Sequence, residues 1–196
     1  MATKVKRAPA KKTTKTAGRS RLAGNTENKA GGPFEGNFDS SIKDLFISEL
    51  KDMYWSEKHL VAAIPKMIDA AKGADLKRAL KNHLQETINQ AARLENVFNS
   101  IGIPVLAKKC DAMEGLTMGG EHIIENTLAG SPARESGIIG SGLKVEQFEI
   151  TCYKGLIQMA TRLNFKDAIP VFQQNLQEEI AASEKLNGLN NDSTEK

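Results

Sequence analysis

No stretch of this chain stays apolar for the roughly 20 residues that a membrane-spanning helix needs. The first residues carry charge with no apolar segment behind it, so no secretory signal is expected. Cysteine is scarce. Cys110 and Cys152 are the only two among 196 residues, too few for a disulfide framework. The expectation is a cytoplasmic protein whose thiols are reduced and fill small core positions. Residues 1–32 have almost no large apolar side chain, a single leucine (Leu22) and no aromatic residue. Such a segment cannot bury enough surface to offset its ordering entropy, which predicts a disordered arm over residues 1–38.

What the arm does have is charge. Residues 1–32 carry nine basic residues against one acid, net +8; the remaining 18 basic and 23 acidic residues leave the rest at −5, within a formal total of +3. A basic arm on an acidic body suits nonspecific DNA binding through phosphates, and the missing aromatics argue against base stacking. The stretch from Ala8 to Thr16, Ala-Pro-Ala-Lys-Lys-Thr-Thr-Lys-Thr, is similar in composition to the tails of linker histones.

From 39 to 190 the pattern changes to apolar residues at helical spacing, which predicts an all-α domain. The first helix is expected from Ile42 to Ala71, capped by Ser40 or Ser41, with Asp44 in its first turn and a kink at Pro65. Its inward stripe is Phe46, Leu50, Met53, Glu57, Leu60, Ile64 and Met67 or Ile68. A tight Lys72-Gly73-Ala74-Asp75 connection, with Asp75 as cap, leads to a second helix from Leu76 to Ser100. The second stripe is Leu76, Leu80, His83, Glu86 or Thr87, Gln90, Leu94 and Val97. A short connection makes these two helices antiparallel neighbours. A long crossover follows, with a short helix over about Ala112–Leu128 that Gly130-Ser131-Pro132 closes. The third helix is expected over Glu135–Leu163, weakened at its start by Gly137, Gly140 and Gly142. The fourth is expected over Asp167–Leu189, with Asp167 as cap, Pro170 in its first turn and a frayed end over 191–196.

Two antiparallel hairpins joined by a long crossover form a four-helix bundle of the ferritin-like kind. The chemistry lies in carboxylates placed on apolar stripes. Glu57, Glu86 and Glu179 each stand near mid-helix, and Glu146 and Glu149, three apart, share one helix face. Two carboxylates about 6 Å apart repel by roughly 3 kcal/mol at an effective dielectric near 20. Five together cannot stay ionised without cations. Two divalent metal ions supply the missing charge, and all-oxygen ligation favours iron or manganese over zinc. Tyr54 and Tyr153 each lie one turn from a candidate ligand and are expected to hydrogen-bond it. His83, one turn before Glu86, is a candidate outer donor. His59 is expected to face away, and His122 falls in the crossover.

The segments Leu50-Lys51-Asp52-Met53-Tyr54-Trp55-Ser56-Glu57, His83-Leu84-Gln85-Glu86-Thr87, Arg93-Leu94-Glu95-Asn96-Val97-Phe98, Val145-Glu146-Gln147-Phe148-Glu149-Ile150 and Leu176-Gln177-Glu178-Glu179 resemble the YciF/YciE family of ferritin-like stress proteins. The likeness covers about Ile42 to Leu189. It implies a rubrerythrin-like bundle, usually dimeric, with a two-metal centre and no settled reaction. Many relatives have His where this chain has Gln90 and Gln147. Asn89 and Ala182 stand where ferritins and rubrerythrins place the His of a Glu-x-x-His pair. The first reading is a ferritin-like metal-binding stress protein with metals held by Glu57, Glu86, Glu146, Glu149 and Glu179, for which iron oxidation and peroxide reduction are the candidate chemistries. The rival reading is a DNA-associated structural protein that binds through its arm and whose bundle serves as a dimerisation module.

Overall fold

The computed structural model describes residues 41–194; the predicted arm over 1–38 lies outside the described residues, as do 195 and 196. Five helices follow one another: α1 (Ile42–Ala70), α2 (Ala74–Ser100), α3 (Asp111–Asn126), α4 (Pro132–Arg162) and α5 (Ala168–Thr194). The described residues form no strand, and no helix among them is long and apolar enough to cross a membrane.

Local chemistry explains most helix ends. Ser41 caps α1, its Oγ accepting from the Lys43 N–H at 3.2 Å, with Asp44 in the first turn. α1 then continues through Pro65 to Ala70. Gly102, with φ 72°, takes the left-handed conformation that closes α2. Three expectations need correction. Asp75 is not the cap of α2, which starts one residue earlier, after Gly73. α2 has no side-chain cap; the Lys72 and Gly73 N–H groups of the connection ahead of it donate to the Glu135 carboxylate of α4, both at 2.9 Å. Gly130-Ser131-Pro132 opens a helix and does not close one: Ser131 caps α4, accepting from the Arg134 N–H at 3.2 Å, and Pro132 occupies the first helical turn, where its missing N–H costs nothing. The expected end of α5 at Leu189 is also passed, the helix running on to Thr194.

α1 packs on α2 and α4 on α5; α2 also lies against α5 and α1 against α4, while α3 covers α1 and α4 from outside. Three residues join α1 to α2, making them antiparallel. Across α2 and α5, Gln90 meets Glu178 and Arg93 meets Asn175, a falling register that makes this pair antiparallel too. The diagonal helices α2 and α4 therefore run parallel, as the long crossover over 101–131 allows. This is the connectivity of the ferritin-like bundle. The early glycines of α4 have a packing role: a Cβ on Gly142 would stand 2.9 Å from Leu186 Cδ1, and one on Gly137 would run into Ile123 of α3.

The core has two apolar clusters. One gathers Phe46, Leu50, Phe98, Leu156 and Phe172, the other Leu60, Ile64, Leu80, Ile139 and Leu186. In each bundle helix, buried polar residues fall between members of the two clusters: Glu57 on α1, His83, Thr87 and Gln90 on α2, Glu146 and Glu149 on α4, Asn175, Glu179 and Ser183 on α5. A polar layer is thus sealed at mid-bundle by apolar plugs on both sides.

Candidate metal centre

The layer draws one or more carboxylates from three helices. Glu57, Glu149 and Glu179 have no exposed surface, and Glu146 has 2%. His83, Glu146, Glu149 and Glu179 each offer a ligand atom, all within 4.8 Å of one another. Glu57 stands beside this group, and the Glu179 carboxylate is the nearby charge that acts on it most. Glu86 is not among them. The helical phase of α2 turns Thr87 inward, wholly buried, and leaves the Glu86 side chain 43% exposed, its Oε2 3.8 Å from His83 Nδ1. His83, expected as an outer donor, is buried and brings Nε2 to 3.3 Å from Glu146 Oε1.

The surrounding hydrogen bonds hold these groups without saturating them. Tyr153 donates its hydroxyl hydrogen to Glu57 Oε1, across the bundle, not to the neighbouring Glu149. Asn175 Nδ2 donates to the Tyr153 oxygen at 2.8 Å, and Arg93 Nε donates to Asn175 Oδ1 at 2.8 Å. Gln90 Nε2 donates to Glu179 Oε1. Gln147 lies on an exposed face and donates to Ser183 Oγ at 3.2 Å. Tyr54 corrects the other tyrosine expectation: its hydroxyl donates to Glu95 Oε1 at 2.6 Å, away from the cluster. His59 faces away as expected, bonded to Thr117 Oγ1 at 2.8 Å and stacked on Trp55.

After these bonds are assigned, Glu57 Oε2, Glu146 Oε2, both oxygens of Glu149, Glu179 Oε2 and His83 Nδ1 remain buried with no hydrogen-bond partner. Buried carboxylate oxygens are almost always paired, so so many orphans in one place point to an absent positive partner. Burial pushes Glu57, Glu146 and Glu149 well above the usual carboxylate range, and the charge of Glu179 adds to the effect on all three. Burial likewise raises the Tyr153 hydroxyl far above its ordinary value, with Glu57 the leading charge contribution. Oxygen-rich donors with one imidazole nitrogen fit a hard or borderline divalent ion such as iron(II) or manganese(II).

A family profile described as a domain of unknown function, DUF892, matches residues 41–196. The chain belongs to this family. It is 35% identical over 150 residues to Protein YciF of Escherichia coli K12, covering 76% of this chain and 90% of that protein. The crystal structure of the E. coli stress protein YciF superposes with a TM-score of 0.76 at 32% identity, over 80% of this chain and 99% of that one. YcfI of Rhodopseudomonas palustris is similarly close, with a TM-score of 0.74 at 34% identity over 79% of this chain and 98% of its own. The YciF resemblance and the all-helical bundle read from sequence are thereby shown.

Sequence reasoning assigned His83 an outer place and did not single out Asn175 or Arg93. The signal for His83 was its own stripe, since it follows Leu76 and Leu80 at helical spacing on a face that is otherwise core. Asn175 lies four residues before Glu179, on the same face. Arg93 had no such signal, because its partners Asn175 and Glu178 belong to another helix.

Proposed function

We propose that this member of the DUF892 family is a stress protein that holds two divalent metal ions, iron or manganese, in its mid-bundle layer. Glu57, Glu146, Glu149, Glu179 and His83 are the ligands in this reading. The observation that carries it is Glu149, which has no exposed surface and no hydrogen-bond partner on either oxygen. A bound iron or manganese pair would supply two one-electron oxidations, the two electrons passing to peroxide or dioxygen as the oxidant. The chain's own residues bind and orient. Gln90 fixes Glu179, Tyr153 fixes Glu57, and Asn175 of α5, itself held by Arg93 of α2, holds Tyr153. The two apolar clusters close the layer off along the bundle axis, and the low dielectric there strengthens the charge interactions within it.

Titration of metal-free protein with iron(II) without oxygen, followed by air or peroxide, tests the reading. The expected result is about two ions bound per chain, then an oxidation faster than that of iron(II) in buffer. Protein that binds no ion would overturn the metal role, and binding without faster oxidation would overturn the redox role. The charge split favours a second activity alongside the first: residues 1–32, at net +8, bind DNA nonspecifically, with several arms joined if the bundle dimerises. A gel shift comparing the full chain with one that begins at Phe34 decides this, equal shifts removing the arm from the contact.

A further inference from the structure

Two pockets reach the polar layer, and both touch His83 and Glu146. One, of about 50 Å³, opens among α1, α3 and α4 and is walled by Leu60, Ile64, Met67, Leu116 and Val145. The other, of about 250 Å³, lies between α2 and α5 and is bordered by Arg78, Asn82, Glu86 and Lys185, with small alanines, Ala182 among them, leaving it open. A cation moving through the first would shed its water along a mostly apolar wall that carries no carboxylate before Glu146, which is costly. The second has room for an ion that keeps part of its water shell.

We propose that the pocket between α2 and α5 is the port by which a divalent cation reaches the buried layer, and that Glu86 at its mouth receives the ion before His83 and Glu146. The proposal rests on the metal reading above. Its geometry is a ladder: the half-exposed Glu86 carboxylate is 3.8 Å from His83 Nδ1, and His83 Nε2 is 3.3 Å from Glu146 Oε1. The two inner members are more than nine-tenths buried, line the pocket, and each carries a polar atom without a hydrogen-bond partner, His83 Nδ1 and Glu146 Oε2. Glu86 therefore has a role different from the ligand that spacing alone suggests: it meets solvent and the site at once. Of the two cationic side chains at the rim, Arg78 is paired with Asp75 on its own helix. Lys185 is exposed and opposes the approach of a cation. Ala182 stands three residues after Glu179, and its small side chain keeps the passage clear.

The test uses full-length metal-free protein and cobalt(II), whose absorption bands report ligation, mixed by stopped flow; the number of ions bound is measured separately by equilibrium dialysis with manganese(II). Glu86→Gln should slow cobalt uptake about tenfold, the lower end of the range for electrostatic steering, with the number of ions unchanged. Lys185→Ala should speed it, and Ala182→Phe, which changes no charge, should slow it. If Glu86→Gln lowers the number of ions as Glu149→Gln does, Glu86 is a ligand and the port assignment falls. An unchanged uptake rate in Glu86→Gln and Ala182→Phe would mean that the ion enters elsewhere. Wild type that binds neither cobalt nor manganese would overturn the metal reading itself, a result distinct from either of these.

Discussion

The cluster around Phe46 and Phe172 and the carboxylate layer beside it are built on the same four helices and are equally inaccessible, yet burial acts on them in opposite ways. Phe46, Leu50, Phe98 and Phe172 have no exposed surface, and neither do Glu57, Glu149 and Glu179. Burying each large apolar side chain stabilises the fold by about 1.5–3 kcal/mol. Burying each carboxylate costs free energy until a proton, a hydrogen bond or a cation compensates it. The first region holds the bundle together, and the second stabilises it only as far as its buried oxygens find partners. The difference teaches that burial alone says nothing about contribution to stability; the partners of the buried atoms decide it.

The sharpest way to break the comparison is to remove one member from each side. Phe172→Ala deletes a ring packed on Phe46 and Tyr153, at centroid distances of 6.1 and 6.4 Å. It should cost about 3–5 kcal/mol by denaturant unfolding, with or without metal. Glu149→Gln should instead leave the metal-free protein at least as stable as wild type. It should abolish the gain from added manganese(II), about 2.7 kcal/mol at a hundredfold excess over Kd. A Glu149→Gln variant as damaged as Phe172→Ala would show that the layer is a stabilising network and that the contrast is false.

Acidity sharpens the same contrast. Glu57, Glu146 and Glu149 hold protons in the fold well above their ordinary value of 4.5, because burial disfavours their charge. Between 4.5 and those raised values the folded chain binds more protons than the unfolded one. The contribution of these three protonated groups to the stability of the metal-free protein is therefore fully present below about pH 4.5 and is lost as pH rises through their raised values. Melting curves should show this decline. They should also show a metal-induced gain that grows with pH, because binding displaces the protons. A metal-free protein that gains stability across this range would contradict the raised values.

The two tyrosines offer a smaller test. Tyr153→Phe strands Glu57 Oε1 and Asn175 Nδ2 in the interior and should cost about 1–3 kcal/mol. Tyr54→Phe frees the exposed Glu95 carboxylate to water and should cost about 0.5 kcal/mol. Equal losses would mean that the environment of the partner does not matter. The smallest effect belongs to Glu86→Gln: on a half-exposed side chain it should change stability by no more than about 0.5 kcal/mol, whatever it does to metal uptake.

The sequence by itself determined the four bundle helices, their hairpin pairing and the long crossover, because apolar period and turn residues are local properties of the chain. It also determined that Glu57, Glu146, Glu149 and Glu179 lie on inner stripes, and all four are buried. It offered Glu86 or Thr87 for the stripe and took Glu86 as the ligand, since neighbours 100° apart on a helix both border an apolar stripe; the packed bundle instead buries Thr87 and leaves Glu86 half-exposed. Tertiary structure alone decided that Tyr153 serves Glu57 and that Tyr54 serves Glu95, because a side chain's partner across a bundle depends on the axial offset of two helices, which no spacing within one helix encodes. For the same reason Glu135 of α4 anchors the connection that leads into α2, where spacing suggested an Asp75 cap, and His83 reaches the carboxylates from a position where spacing alone suggested only an outer donor.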